Sequence, residues 1–206
     1  MEQRPTSLLA TPPSAPEPQR DLVIIEPPFP RLLPWLLTIG GLLGLVAAFV
    51  LTIEKIALLK NPDYVPSCSI NPVLSCGSVM KTWQADLLGF PNPLLGIVAF
   101  AVVTTVGVAL LAGARLPRWF WWGLQAGVTL GVVFVHWLIY QSLYEIGALC
   151  PYCMIVWTVT IPIFLYVTLR NLGRQATYHA VALTVWYLTV ITLIGIRFWS
   201  FWSTLI

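Results

Sequence analysis

The chain has 206 residues, of which 58% are apolar and only 9% are charged, and its formal net charge is +3. Globular proteins average about 45–50% apolar and about 25% charged residues, so this composition excludes a soluble globular domain. The 11 lysines and arginines are spread along the chain, which also excludes the clustered basic face of a nucleic-acid-binding protein. The composition therefore indicates an integral membrane protein.

Residues 1–31 differ in composition from the rest of the chain. Eight of the 17 prolines lie here, together with mixed acidic and basic residues and few aromatic ones. Such a segment buries too little apolar surface to offset the entropy of ordering it. It also lacks the short apolar run of a cleavable signal peptide. We expect a disordered, proline-rich cytoplasmic tail, followed by one membrane domain over residues 32–206.

Five stretches without Asp, Glu, Lys or Arg follow the tail: 32–53, 87–114, 119–144, 146–169 and 175–196. Each exceeds the roughly 20 apolar residues that a helix needs to cross a bilayer. The sequence therefore predicts an all-α integral membrane protein with five transmembrane helices. We expect the first span to end at Glu54-Lys55. Asn92 and Pro93 predict the start of the second, because Asn caps free amides and Pro suits the first helical position.

The third predicted span carries Gly123, Gly127 and Gly131 at four-residue spacing. Small residues at this spacing let neighbouring transmembrane helices approach closely. We therefore interpret these glycines as a helix-packing surface rather than as part of a catalytic site.

The orientation follows from the distribution of Lys and Arg, which are enriched in cytoplasmic loops. The tail and the loops 113–118 and 170–179 hold seven of these residues, whereas the other side holds four. This difference predicts a cytoplasmic amino terminus and an extracytoplasmic carboxyl terminus. The long loop 54–92 and all four cysteines are then expected outside.

The four cysteines form two pairs on that exterior side: Cys68 and Cys76 in the long loop, and Cys150 and Cys153 at the start of the fourth span. Such a compartment allows disulfides to persist. Since Pro151 suits the first helical position, we expect Cys150 at or beside a helix N-cap, where amides and the helix dipole favour a thiolate. Cys153 lies about 4.5 Å deeper along the helix. The arrangement indicates dithiol–disulfide exchange between a water-borne thiol and a lipid-borne acceptor.

Three other interpretations of the cysteines are open. A structural zinc site is compatible with the Cys-x2-Cys spacing, but the loop pair and the membrane mouth fit it poorly. Purely structural disulfides form a second interpretation, although a disulfide across three helical residues would be strained. The Cys-Pro-Tyr-Cys motif also occurs in glutaredoxins, but those are small soluble domains with a sheet.

The cysteines belong to a wider set of motifs. Asn71–Met80 reads NPVLSCGSVM, Gly89–Gly96 reads GFPNPLLG, and Cys150–Cys153 reads CPYC. From about Trp35 to about Arg170, the chain resembles the vitamin K epoxide reductase family, most closely its bacterial, actinobacterial-type branch.

The resemblance implies a four-helix core bundle around a quinone, with a long exterior loop. Bacterial members oxidise a DsbA-like, thioredoxin-fold protein and reduce a membrane quinone, which drives disulfide formation in exported proteins. Cys68 and Cys76 match the pair that exchanges with the partner; Cys76 then attacks Cys150, and Cys153 faces the quinone. Some members carry a fused thioredoxin domain after the fifth helix. We expect none here, so the partner would act in trans.

The resemblance also implies the quinone contacts. Asn92 matches an Asn that hydrogen-bonds a quinone oxygen, in addition to its expected role as a helix cap. Thr82 stands where members often have Ser, and Trp157 stands where animal members have a quinone-contacting Tyr. We expect Met80 to close the site as an apolar lid and Leu95 to lie one helical turn from Asn92. The expected acceptor is menaquinone rather than ubiquinone, without a metal.

Two further functions remain open at this point. The same cysteines would serve a naphthoquinone (vitamin K) epoxide reductase in a recycling pathway. Alternatively, the disulfides would merely brace the loop of a non-catalytic membrane scaffold. The mid-span His136 is compatible with a proton relay, but a hydrogen bond between packed helices is the favoured interpretation.

Overall fold

The computed structural model describes residues 31–173 and 178–204, so the predicted tail lies outside the described residues except for Arg31. Seven α-helices occur in these ranges: α1 (Leu32–Lys60), α2 (Cys76–Met80), α3 (Asn92–Leu111), α4 (Arg118–Tyr140), α5 (Pro151–Leu172), α6 (His179–Arg197) and α7 (Trp199–Trp202). A short 3₁₀ helix covers Trp83–Asp86, and a π-helical segment, Gln141–Ile146, prolongs α4.

Five of these helices are long and apolar enough to cross a membrane: α1, α3, α4 with its π-helical extension, α5 and α6. Within the described ranges no strand forms, and the sole β-type pairing is an isolated bridge between Leu74 and Leu149. The predicted all-α fold with five transmembrane helices is confirmed.

Helix α1 continues to Lys60, so the prediction that it ends at Glu54-Lys55 is wrong. Both charged side chains are buried, with exposed fractions of 7% and 5%. Each is partnered by the loop that follows: Glu54 accepts hydrogen bonds from Ser67, and Lys55 forms an ion pair with Asp86. Because the loop satisfies both charges, the helix is not interrupted where the charges begin.

Close helix packing depends on glycines of α1 and α3. A Cβ atom at Gly44 would lie 2.5 Å from the ring of Phe100, and one at Gly107 would lie 2.5 Å from the backbone N of Thr38. These glycines let α1 lie directly against α3, and α1 also packs along α5. The sequence interpretation did not single out these glycines, although Gly40, Gly41 and Gly44 form an obvious small-residue cluster.

Gly123 and Gly127 of α4 do not pack against a helix, and Gly131 makes only an ordinary contact with α5, so the interpretation of Gly123, Gly127 and Gly131 as one helix-packing surface is wrong. A Cβ atom at Gly123 or Gly127 would meet nothing within 4 Å, and one at Gly131 would come no closer than 3.8 Å to Thr160. The physical reason is that α3 and α4 make almost no direct contact. The glycines instead line the space between them.

Helix α6 lies outside a core formed by α1, α3, α4 and α5, and it has no buried residue. Hydrogen bonds fasten it to the core. The indole of Trp186 donates to Nε2 of His136 over 3.0 Å, and Arg197 Nε donates to the Leu143 carbonyl over 2.8 Å. His136 Nδ1 lies 2.8 Å from the Val132 carbonyl. Both ring nitrogens of His136 thus have a partner, and the bond to Trp186 is the hydrogen bond between packed helices that the sequence interpretation favoured.

Candidate thiol–disulfide site and its cavity

Two backbone hydrogen bonds place Cys76 beside Cys150. The Leu149 amide donates to the Val73 carbonyl over 2.7 Å, and the Ser75 amide donates to the Leu149 carbonyl over 2.8 Å. These bonds join the segment that precedes Cys76 to the segment that precedes Cys150. Since α2 begins at Cys76 and α5 begins directly after Cys150, the two cysteines enter neighbouring helices side by side.

The four cysteines form a continuous sulfur path. Cys68 and Cys76 are joined by a disulfide, whereas Cys150 and Cys153 are free thiols. The sulfur of Cys76 lies 3.2 Å from that of Cys150, and these two residues are 0% and 1% exposed. Cys150 therefore lies between the loop disulfide and Cys153, within reach of both.

The start of α5 stabilises a thiolate at Cys150. As predicted, Cys150 is the N-cap, and its sulfur accepts a hydrogen bond from the Cys153 amide over 3.4 Å. The pKa of the Cys150 thiol is lowered, chiefly by a hydrogen bond from the Cys153 side chain and further by the amides of Cys153 and Tyr152, while burial acts in the opposite direction. Cys150 is thus the thiol better suited to be a leaving group or nucleophile.

Glu54 holds the loop arm that leads to Cys68. Its carboxylate accepts hydrogen bonds from the backbone N of Ser67 at 3.3 Å and from the Ser67 hydroxyl at 2.5 Å. Tyr64, on the same arm, also donates to Glu54, and this bond raises the pKa of its phenol. The residue directly before Cys68 is therefore fixed to the end of α1.

Lys55 holds the other arm, which follows Cys76. Its ammonium donates to the Met80 carbonyl and to Asp86 Oδ2, each over 2.7 Å. Consecutive residues of α1 thus bind the two arms of the loop, one on each side of the disulfide.

Beneath the cysteines lies a cavity of about 550 Å³, walled mainly by α3, α4 and α5. This volume lies within the usual range for small-molecule sites, about 300–1,000 Å³. The end of the cavity nearest the cysteines is called the outer end. Val79 and Met80 of α2 line this end, where the sequence predicted an apolar lid. The lining on α4 runs from Trp119 to Leu138, which at 1.5 Å per residue corresponds to about 28 Å. The cavity is therefore long as well as apolar.

Three buried polar atoms at the outer end have no hydrogen-bond partner: Trp157 Nε1, Asn92 Oδ1 and Gln84 Oε1. All three residues line the cavity. Buried polar atoms are normally paired, so unpaired ones beside a cavity indicate groups kept for a ligand. One indole donor and two carbonyl acceptors fit both forms of a quinone: its oxygens accept hydrogen bonds when oxidised and donate them when reduced.

The other proposed quinone contacts divide into two groups. Met80 and Leu95 line the cavity with Asn92 and Trp157. Thr82 does not: its hydroxyl donates to the Val79 carbonyl over 2.8 Å, within the loop. The prediction that Thr82 contacts the quinone is therefore not supported by the geometry, because the loop itself uses the hydroxyl.

Asn92 does not cap α3, so that part of the prediction is wrong. The N-cap is Pro91, and Asn92 is the first helical residue, without a capping hydrogen bond. Its amide nitrogen donates instead to the Gln84 carbonyl over 2.6 Å. Because an amide nitrogen carries two hydrogens, one remains for a ligand.

Sequence reasoning missed Gln84 and Lys55. Gln84 Nε2 donates to Gln141 Oε1 over 3.2 Å, which links the 3₁₀ helix to the end of α4. Gln84 stands in a loop without a recognisable pattern, so nothing in the sequence marked it. Lys55 did carry a signal, since an ionisable residue at the edge of an apolar span is costly unless it has a partner or a function.

A membrane helical bundle with a sulfur path above an apolar cavity defines a class of protein: a membrane oxidoreductase that links disulfide exchange to a lipid-soluble acceptor. A comparison with protein-family models matches the Vitamin K epoxide reductase family over residues 35–168. The chain belongs to this family, whose members couple a disulfide to a quinone. A comparison with curated protein sequences finds no match.

Within residues 31–173 and 178–204, no group of three or more His, Cys, Asp or Glu is arranged to hold a metal ion.

Proposed function

We propose that the protein oxidises a DsbA-like, thioredoxin-fold protein in trans on the extracytoplasmic side of the plasma membrane and passes the electrons to a membrane quinone. This activity would drive disulfide formation in exported proteins. The observation that carries the proposal is the 3.2 Å separation of the Cys76 and Cys150 sulfurs, which connects the loop disulfide with the thiols at the cavity. A disulfide that only braced the loop would need no free thiol at this distance.

The outer step is exchange with the partner. A partner thiolate attacks Cys68, the Cys68–Cys76 disulfide opens, and Cys76 leaves as a thiolate. The partner's second thiol then attacks the mixed disulfide. The partner departs with a new disulfide, and Cys68 and Cys76 both remain reduced.

The inner step moves the same two electrons toward the cavity. The Cys76 thiolate attacks Cys150 of an oxidised Cys150–Cys153 pair, and Cys153 leaves as a thiolate. Cys68 then attacks Cys76, which restores the loop disulfide and releases Cys150. The observed combination of a closed loop disulfide and two free thiols corresponds to the end of this step.

The final step occurs at the cavity. A bound quinone takes up two electrons and two protons while the Cys150 and Cys153 thiols form a disulfide. The free amide hydrogen of Asn92 and the indole N–H of Trp157 would hold its oxygens, and Met80 excludes water from above. The length of the apolar cavity suits a ring that carries a long hydrocarbon chain.

The orientation and the quinone type belong to the same proposal. The distribution of Lys and Arg, seven against four, supports a cytoplasmic amino terminus and an extracytoplasmic carboxyl terminus. All four cysteines then face outward. We propose menaquinone as the acceptor in preference to ubiquinone, on the resemblance to the bacterial branch.

The decisive experiment adds the purified protein to a reduced DsbA-type protein and follows quinone absorbance, with menaquinone and ubiquinone in separate reactions. We expect partner oxidation and quinone reduction in equal amounts. A parallel reaction with a quinone epoxide and a small dithiol measures the recycling activity. If partner oxidation is no faster than without the protein, and only the epoxide is consumed, the proposal is wrong. If neither the quinone nor the epoxide is consumed, the protein is a non-catalytic membrane scaffold.

A further inference from the structure

Lys55 is the one charged residue among those that line the cavity in the described part of the chain. It is only 5% exposed. A lysine is almost never buried to this extent unless it is paired, and an ionisable group inside a membrane protein usually has a functional role. Its position at the cavity is therefore unusual enough to require an explanation.

The ammonium of Lys55 has one hydrogen left over. An ammonium carries three hydrogens, and two of them go to the Met80 carbonyl and to Asp86 Oδ2. No further partner occurs among the residues that the structure describes. The Asp86 side chain is 38% exposed, so the ion pair extends from the cavity wall toward the outer surface.

Lys55 lies at the outer end of the cavity, near the cysteines. Leu51 and Leu58, four residues before it and three after it, share its face of α1. Both pack in the cluster that contains Cys76 and Cys150. Stability alone does not account for the charge, because a buried ion pair is often no better than apolar residues of the same volume.

We propose that Lys55 supplies the positive charge of the acceptor site: with two hydrogens held by Met80 and Asp86, it directs the third into the cavity and favours negative charge on the oxygen of the acceptor bound there. This inference rests on the proposed function, since it assumes an acceptor of the quinone class. A hydrogen bond between ionised groups is roughly twice as strong as one between neutral groups, and the low-dielectric cavity strengthens it further. Lys55 would thereby help to complete electron transfer, which places negative charge on that oxygen.

The experiment compares two ligands of nearly the same shape. One is 2-hydroxy-1,4-naphthoquinone, which is anionic at neutral pH, and the other is its neutral 2-methoxy analogue. Binding to the full chain in detergent is followed by quenching of tryptophan fluorescence. We expect Lys55→Met to weaken binding of the anion about 10-fold relative to the neutral ligand, the factor for a typical charged hydrogen bond. Lys55→Arg should restore the preference.

Two further variants separate charge from loop structure. Glu54→Gln is the matched control, because it loosens the other loop arm without changing a residue that lines the cavity, and it should keep the wild-type preference. Asp86→Asn removes the counter-charge and should increase the preference for the anion. Because this change in preference is opposite to the one expected for Lys55→Met, Asp86→Asn tests the role of Lys55 even if Lys55→Met does not fold.

The outcomes distinguish the two levels of the hypothesis. If the wild-type protein binds neither ligand, the proposed quinone site is wrong. If it binds both, but the preference for the anion is unaffected by Lys55→Met or falls in Asp86→Asn, the quinone site stands and the role of Lys55 is refuted. The role of Lys55 would also be refuted if Glu54→Gln reduced the preference for the anion as much as Lys55→Met does. A change in loop structure would then explain the result in both variants.

Discussion

The two ends of the cavity are built from different kinds of residues. The outer end carries Cys150, Cys153 and Lys55, together with three unpaired polar atoms. The inner end, beside the start of α4, is lined by Trp119, Gly123 and other residues without charge. In the proposed reaction, bonds break and form at the outer end only, whereas the inner end offers volume and apolar contact. Substitutions at the two ends should therefore affect different kinetic constants.

The largest expected effect concerns the sulfur path at the outer end. In the double variant Cys68→Ala, Cys153→Ala, the attacking outer thiol and the resolving inner thiol are absent, so Cys76 and Cys150 should remain joined as a stable disulfide. Quinone reduction should fall by more than about 1,000-fold, as expected when a nucleophile is lost. Peptide mapping under non-reducing conditions identifies the bond. Two free thiols under oxidising conditions would contradict the proposed order.

The next effect concerns Asn92. Asn92→Ala should lower turnover by roughly 10- to 1,000-fold, because a hydrogen bond to the acceptor oxygen matters most as charge develops there. The free energy of unfolding should fall by about 1 kcal/mol, because the hydrogen bond to the Gln84 carbonyl is lost. Thr82→Val is the matched control and should leave turnover unchanged. Steady-state quinone kinetics and melting curves measure both. Equal losses in the two variants would remove Asn92 from the site.

A smaller effect is expected at the inner end. Gly127→Leu should raise KM for a long-chain quinone about 10-fold, since overpacking costs 1–3 kcal/mol and about 1.4 kcal/mol is tenfold. A short-chain analogue should react as before. The melting temperature should change little, because nothing lies within 4 Å of the added Cβ position. Gly44→Leu provides the contrast and should destabilise the protein, since its side chain would clash with Phe100. If KM changed equally for the long-chain and the short-chain quinone, the inner end would not be the part of the cavity that holds the hydrocarbon chain.

The smallest effect is a shift in a titration. With Cys68 and Cys76 joined, the ultraviolet absorbance of a thiolate should appear at a lower pH than it does for an ordinary thiol, because the pKa of Cys150 is lowered. Cys153→Ala removes the hydrogen bond that is the principal cause of the lowered pKa, so the transition should move to higher pH. A transition at the ordinary value in the wild type, or an unchanged one in the variant, would contradict the hydrogen-bonded arrangement.

The outer end was largely predictable because its residue types are chemically distinctive. The spacing of the cysteines, and Pro151 directly after Cys150, predicted the helix start and the paired thiols. The end of α1 was not predictable, because the partners of Glu54 and Lys55 are up to 31 residues away in sequence. Likewise, Asn92 met the pattern of a helix cap but bonds the Gln84 carbonyl, a contact that only the folded loop creates.

The inner end was misjudged for a different reason. Four-residue spacing places Gly123, Gly127 and Gly131 on one face of α4, but it does not say what that face meets. On α1, Gly41 and Gly44 meet α3 directly, whereas the α4 glycines face a cavity. Each of the two helices carries three glycines close together in sequence. The difference lies in the position of the neighbouring helix, which no single segment encodes.

The depth of the loop disulfide has a consequence for electron leakage. Cys68 is 5% exposed and Cys76 is fully covered, with the arm before Cys68 fixed to Glu54 through Ser67. Exchange requires direct access to a sulfur, so the buried disulfide offers little surface to a small thiol. If the protein acts as proposed, a partner that displaces the arm before Cys68 would gain access that a small thiol lacks. The loop would then limit reduction of the quinone by thiols other than the partner's.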